Sequence, residues 1–270
     1  MNPITDTTGP TGTSGTTGRR AWVVAGSVVA ALALLFGTVQ IVSAFARERT
    51  TEVDVFPASE VRQLDVGSRN GSVEILGGDA EEITLTARIT HGLRRTQHRA
   101  SVEGGVLRVR SSCPVLATWC RVDYRIAVPA ALAVAVDVDN GRLILRDLRG
   151  GVRVDARNGP IELARLSGDL DVSTHNGALE STALRSDRVA ARTHNGRLRL
   201  EFAEPPTTVE ARSDNGRVDV LLPVTGEAYR VDVDTDNGST DVGVRTDPTG
   251  ERSVVGRTRN GDVTVRYATG

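Results

Sequence analysis

From residue 53 onward, apolar and polar residues alternate. In Gly151-Val152-Arg153-Val154-Asp155-Ala156 every second position is apolar. The same holds for Leu170/Val172, Val189/Ala191, Leu198/Leu200/Phe202, Val218/Val220/Leu222, Val231/Val233 and Val263/Val265, with Asp, Arg, Glu and Thr between them. A period of two marks strands with one buried and one wet face. No segment after residue 46 carries a helical period, so the pattern predicts an all-β domain.

The alternation is punctuated by Asn-Gly. The pair occurs at Asn70-Gly71, Asn140-Gly141, Asn158-Gly159, Asn176-Gly177, Asn195-Gly196, Asn215-Gly216, Asn237-Gly238 and Asn260-Gly261. From Asn140 the intervals are 18, 18, 19, 20, 22 and 23 residues, the signature of a repeat architecture. Two architectures satisfy it. Asn-Gly between alternating strands is a strong hairpin signal and would give an antiparallel meander. Alternatively each unit is one coil of a single-stranded, β-helix-like β-solenoid, with Asn-Gly turning the same corner each time through its tolerance of positive φ. The period favours the solenoid, because each unit holds a second turn, as in Asp147-Leu148-Arg149-Gly150 and Arg165-Leu166-Ser167-Gly168. Leu148, Leu166 and Leu184 each follow an Asn-Gly asparagine by eight residues and would stack as an interior ladder. About ten coils are expected, roughly 45–50 Å long at the strand spacing. Residues 53–130 are less regular and read as degenerate terminal coils.

Residues 21–46 carry no charge and contain Trp22-Val23-Val24-Ala25 through Leu34-Leu35-Phe36. This is long enough for the roughly 20 apolar residues of a membrane-crossing helix. Arg19 and Arg20 favour a cytoplasmic N-terminus, while Arg47 and Arg49 on the far side weaken that bias. A cleaved signal peptide ending at Ala44-Phe45-Ala46 is the other reading; the apolar run exceeds the usual length of one, so an uncleaved anchor is preferred. Both export the C-terminal part. The expected division is a disordered cytoplasmic tail over 1–20, a transmembrane helix over 21–46, a short linker over 47–52 and the repeat domain over 53–270.

A net charge of -1 argues against a nucleic-acid partner, since phosphate binding needs a basic field. The two cysteines, Cys113 and Cys120, are too few for a structural zinc site and have no His beside them. Outside the cytoplasm so close a pair is most simply a disulfide; the other reading is two buried thiols.

The run Val122-Asp123-Tyr124-Arg125-Ile126-Ala127-Val128-Pro129, continued by Val134 to Gly141 and then by the Asn-Gly-x-apolar-x-apolar-x-x-Leu-x-Gly unit, resembles the bacterial "putative adhesin" β-strand-repeat family, also called Toastrack. Asn70-Gly71-Ser72-Val73-Glu74-Ile75 fits too, and the resemblance covers residues 53–267. It implies one β-solenoid-like domain, often near a membrane segment, with a role in envelope sensing or adhesion. It implies no catalytic residue and no cofactor.

Candidate chemistry is sparse. Asp232 to Gly238 is spaced like the start of a calcium loop, but glycine stands seventh rather than sixth and the twelfth residue is Gly243. Alternating Asp on a strand is more simply a solvent face. His175 and His194 precede Asn in consecutive units and would stack as a pH-sensitive or metal-binding pair, yet Arg or Asp fills that slot elsewhere, so a tolerant exposed corner explains all eight. Acidic residues alternate everywhere with equal Arg, which marks a solvated face rather than a catalytic one. The loop Pro114 to Trp119 holds Leu116 and Trp119, which read either as a partner-binding knob or as a cap on the open end of the coils, the cap being preferred. The edge after Val263–Tyr267 is a second place for another chain to pair.

The expected function is a non-catalytic sensing or protein-interaction module at the cell membrane. Its partners would be envelope proteins or a second copy, with no small-molecule substrate, cofactor or metal. The alternatives are a surface adhesin and a carbohydrate-active β-helix enzyme.

Overall fold

The computed structural model describes residues 16–45, 48–91, 96–113 and 120–268. The chain divides into two units, 1–46 and 47–270. The first holds helix α1, Thr16–Phe45. It takes in residues 16–20, expected as tail; Arg19 and Arg20 are good helix formers, although Gly18 before them is not. Side chains of α1 are described at Trp22 and over 25–38. Among the described residues no helix is long and apolar enough to cross a membrane. The crossing expected over 21–46 needs side chains outside the described ones, and the tail over 1–15 lies outside them altogether.

The second unit is all-β, in two sheets. Its strands are β1 (Glu48–Pro57), β2 (Gln63–Asn70), β3 (Val73–Gly78), β4 (Glu82–His91), β5 (Gln97–Glu103), β6 (Val106–Ser112), β7 (Cys120–Pro129), β8 (Ala133–Asn140), β9 (Leu143–Arg146), β10 (Val152–Asn158) and β11 (Ile161–Ala164). They continue as β12 (Leu170–Asn176), β13 (Leu179–Leu184), β14 (Arg188–Asn195), β15 (Leu198–Phe202), β16 (Thr208–Asn215), β17 (Val218–Leu222), β18 (Arg230–Asn237), β19 (Thr240–Gly243), β20 (Ser253–Asn260) and β21 (Val263–Tyr267). Sheet A runs β1-β4-β7-β3-β9-β11-β13-β15-β17-β21-β19, and sheet B runs β18-β20-β16-β14-β12-β10-β8-β2-β6-β5.

Each Asn-Gly pair joins a strand of sheet B to the next strand in sheet A, and we call such a strand pair a coil. Neighbouring coils pair in parallel, as Val152 faces Val134 and Leu170 while Ile161 faces Leu143 and Leu179. The meander is thereby excluded from the repeat region. A hairpin would leave both strands in one sheet, whereas Asn-Gly here carries the chain across to the other. Among the described residues antiparallel pairing is confined to β1/β4, β4/β7 and β5/β6. Eight coils carry the pair, fewer than the ten expected, because residues 79–121 are spent on β4, β5, β6 and the start of β7.

The core is the space between the sheets. Val73, Leu143, Ile161, Leu179, Leu198, Val218 and Val263 stack from sheet A, all at most 1% exposed. Leu64, Val134, Val152, Leu170, Val189, Val209 and Val254 oppose them from sheet B. Leu148, Leu166 and Leu184 are each fully buried at the second turn, as the eight-residue spacing requires. The residue before each of them, Asp147, Arg165 and Ala183, has a φ of 60°, 54° and 52°, left-handed backbone that turns the leucine inward.

Two boundaries differ from expectation. Residues 48–52 are strand, because β4 has a free side along ten residues and β1 pairs it from His91 to Glu82. The last coil in sequence is not last in space: β20 and β21 lie between β16/β17 and β18/β19. The exposed edge is therefore β18/β19, not Val263–Tyr267. In this edge coil Thr240 stands where the other coils put Val, Leu or Ile, while Val233 faces Gly256 of the coil beneath.

Candidate functional site

Three features lie along the coils: the Asn-Gly corner, a pair of histidines beside it, and a groove on the outer face of sheet B.

At the corner the asparagine side chains form one continuous file. Asn140 Nδ2 donates to Asn70 Oδ1 at 3.2 Å, Asn158 to Asn140 at 3.0 Å, Asn176 to Asn158 at 2.9 Å, Asn195 to Asn176 at 2.9 Å and Asn215 to Asn195 at 2.9 Å. Asn260 then donates to Asn215 at 2.7 Å and Asn237 to Asn260 at 3.0 Å, in the spatial rather than the sequence order of the coils. The asparagines do not adopt positive φ; the side-chain file is their contribution. Each following glycine is needed because a Cβ would land on a backbone carbonyl of the adjacent strand, Gly141 O in the case of Gly159 (φ 132°). Positive φ occurs at only five of the eight glycines, so tolerance of positive φ is the lesser reason for the pair.

The file ends at the disulfide. Cys113 and Cys120 are bonded, with Cα atoms 5.7 Å apart. Continuing the β2/β6 register from Gly67↔Arg110 brings Cys113 opposite Asn70, while Tyr124 of β7 faces Val73 of β3. Cys113 and Cys120 thus stand, in the strand pair β6/β7, where the other coils have the Asn-Gly corner. Leu116 and Trp119, the sequence candidates for partner contact, lie outside the described residues. Behind the disulfide a polar bridge joins the sheets. His98 of β5 meets Asp54 of β1 through Nε2 at 3.3 Å and the Tyr124 hydroxyl through Nδ1 at 3.0 Å. Burial pushes the Tyr124 hydroxyl up to about 12, which keeps it protonated and able to donate.

His175 and His194 stack with ring centroids 4.8 Å apart and planes 9° apart. His194 Nδ1 donates to Asp214, whose other oxygen is 3.4 Å from Arg259. Arg157 and Asp139 pair at 2.8 Å further along the same column. Among the described residues no cluster of three or more His, Cys, Asp or Glu is placed to hold a metal ion, and this includes Asp232 to Asp236.

The groove was not anticipated. It is an open trough of about 560 Å³ over the starts of β8, β10, β12, β14 and β16. Register puts Ala135, Arg153, Asp171, Ala190 and Glu210 in one outward row. Ala133, Ala135, Gly151 and Ala190 form a low floor. The walls are ion-paired: Arg188 to Asp169 at 2.7 Å, Arg153 to Asp171 at 3.7 Å, and Arg192 to Asp171 at 3.5 Å and to Glu210 at 3.2 Å. Small residues at one outward register in several coils were the available signal, but outward positions are read as polar filler unless the register across coils is known. Chemically the groove offers a floor of small side chains flanked by arginines and carboxylates that are paired with one another.

Fold and site together define a β-repeat protein with a file of asparagines at one corner and a disulfide-closed end. No family model matches the chain. No curated protein matches it either. Solved structures are similar over most of their length, at TM-scores below 0.5. One is described as a "putative cell adhesion protein" of Clostridium sporogenes, at 9% identity and TM-score 0.41, covering 82% of this chain and 100% of that one. Another is a "putative adhesin" of Bacteroides fragilis, at 12% identity and TM-score 0.48, covering 80% and 97%. A third is a "putative lipid binding protein" of Parabacteroides distasonis, at 12% identity and TM-score 0.38, covering 82% and 97%. These likenesses assign no activity.

Proposed function

We propose that this chain is a non-catalytic interaction module held at the outer side of a membrane by α1, its β domain being a β-solenoid of the adhesin-like kind. The groove on sheet B carries the reading. A floor of alanine and glycine between paired charges, on strands locked to their neighbours on both sides, is a pre-formed contact surface for an extended segment of a partner protein. Pre-formed surfaces lose little freedom on binding. The described apolar side chains of α1 are exposed, among them Trp22, Val28, Val29, Leu32, Leu34, Leu35 and Phe36. A helix apolar on all sides needs an apolar surrounding, which supports the anchor. The disulfide supports an oxidising compartment.

The test is a photo-crosslinking residue at Ala190, in the groove, against one at Glu180, on the other sheet, in intact cells. A discrete adduct with an envelope protein from Ala190 alone, lost on Arg153→Glu, is the expected outcome. Adducts from neither position, or equally from both, would sink the groove as the contact surface. Adducts with neighbouring cells would favour the adhesin reading, and glycan release by the purified domain would favour the enzyme.

A further inference from the structure

The two ends of the coil stack are finished differently. At one end β5 and β1 close the sheets with antiparallel strands, a disulfide and the His98 bridge. At the other, β18 and β19 are the last strands of their sheets. Their inward residues show it: Val231 and Val233 are half-buried and Val242 is 39% exposed, whereas Val254, Val263 and Val265 of the coil beneath are fully buried. Val224, in the connection leading to this coil, is 74% exposed. The Arg230 N–H donates to Arg252 O, just before the strand beneath, while Tyr229 on the other side is paired with Arg245 and Asp247, so the edge is open from Val231 onward. Backbone direction alternates along a strand, so the Val231 and Val233 N–H groups point away from the sheet, toward a place where another strand would lie. The asparagine file is open here as well, since among the described residues none donates to Asn237 Oδ1.

The outward side chains say what kind of strand would fit. The coil over residues 230–243 holds one arginine and four aspartates, Asp232, Asp234, Asp236 and Asp241. Among the described residues only Asp232 has an arginine partner, Arg257 at 2.7 Å. A second copy of the same edge would set aspartates opposite aspartates, which destabilises pairing. Charge on an edge strand is also the usual guard against self-association. A partner strand with arginine or lysine alternating with valine, leucine or isoleucine would meet both needs. Its basic side chains would face the aspartates, and its apolar ones would cover Val231, Val233 and Val242.

We propose that β18/β19 is a strand-addition site for a basic, alternately apolar segment of a partner protein. It is independent of the groove.

The probe is a fluorescent seven-residue peptide of alternating Arg and Val, measured by anisotropy against the full chain in mild detergent at about physiological salt, with an Asp/Val peptide as control. The basic peptide should bind and the acidic one should not. Val233→Pro removes an outward N–H while keeping an apolar side chain, and should weaken binding at least about tenfold. The double change Asp234→Arg with Asp236→Arg, at exposed positions, should reverse the preference between the peptides with the unfolding midpoint retained. Ala190→Arg, in the groove, should leave peptide binding unchanged. Equal binding to the parent and to Val233→Pro would overturn the proposal, as would no binding of the basic peptide. So would a concentration-dependent dimer abolished by Val233→Pro, which would make a second copy the occupant.

Discussion

Asn70 Nδ2 donates to Cys113 Sγ at 3.5 Å, so the file of asparagines that runs the length of the coils terminates on the disulfide. The bond closes an eight-residue loop, for which chain entropy predicts a contribution of about 2–3 kcal/mol. Replacing both cysteines by serine should lower the urea-unfolding free energy by that amount. The parent in reductant should match the double variant. Coincident curves for the oxidised parent and the variant would contradict it.

An asparagine inside the file bonds the asparagine on each side of it and the last one bonds only one. Asn158 donates to Asn140 and accepts from Asn176, while Asn237 only donates. Asn158→Ala should therefore cost about 1–3 kcal/mol and Asn237→Ala about 0.5–1.5 kcal/mol. Equal costs in denaturant titrations would mean that the file adds nothing beyond the corner backbone.

The corner glycines and the groove glycine should respond oppositely to alanine. A Cβ on Gly159 would collide with the Gly141 carbonyl, and its φ of 132° is unfavourable to any side chain. Gly159→Ala should cost more than about 3 kcal/mol. At Gly151 the nearest neighbour of a Cβ is Asp169 O at 3.9 Å. Gly151→Ala should be neutral or stabilise by about 0.4–1 kcal/mol. Thermal unfolding of the two variants side by side is the check.

Two carboxylates brace the serines that follow an Asn-Gly pair in coils at opposite ends of the stack. Asp123 accepts from the Ser72 N–H and hydroxyl, both at 2.7 Å, and Asp262 accepts from those of Ser239 at 3.1 and 2.8 Å. Partial burial opposes ionisation of Asp123, but the Ser72 bonds and the Arg121 guanidinium outweigh it and hold the carboxyl below its ordinary value. Asp262 is lowered by its Ser239 bonds and by Arg217. A lowered folded-state value means that the stabilisation is present above the unfolded value of about 3.9 and is lost as pH falls through the folded one. Asp123→Asn should flatten the fall in stability below about pH 4. An unchanged slope in acid titrations of unfolding would refute this.

Much of the fold was legible because it rests on short-range regularity. Val152/Val154 and Leu198/Leu200 reveal strands by themselves, and Leu148, Leu166 and Leu184 reveal the second turn by constant spacing. The left-handed backbone at Arg165 and Ala183 was not legible, since neither residue favours it; the buried leucine that follows imposes it. The groove was not legible either, because Ala135 and Ala190 become neighbours of one floor only when β8 to β14 are in register.

The sequence by itself determined that the domain is β, that its unit is about 18–23 residues, where each corner falls and which residues face inward. These follow from alternation and from the backbone demands of single positions, which act within a few residues. The tertiary structure decided what depends on stacking: that asparagine serves through its side chain, that Cys113 and Cys120 stand where the other coils have a corner, and that β20/β21 slip beneath β18/β19. Asn260 bonds Asn215, 45 residues away, rather than Asn237 alone. Periodicity counts positions along the chain, whereas the order of coils in space is set by which strands pair, and β16 pairs β20 across the 37 residues that hold β17, β18 and β19.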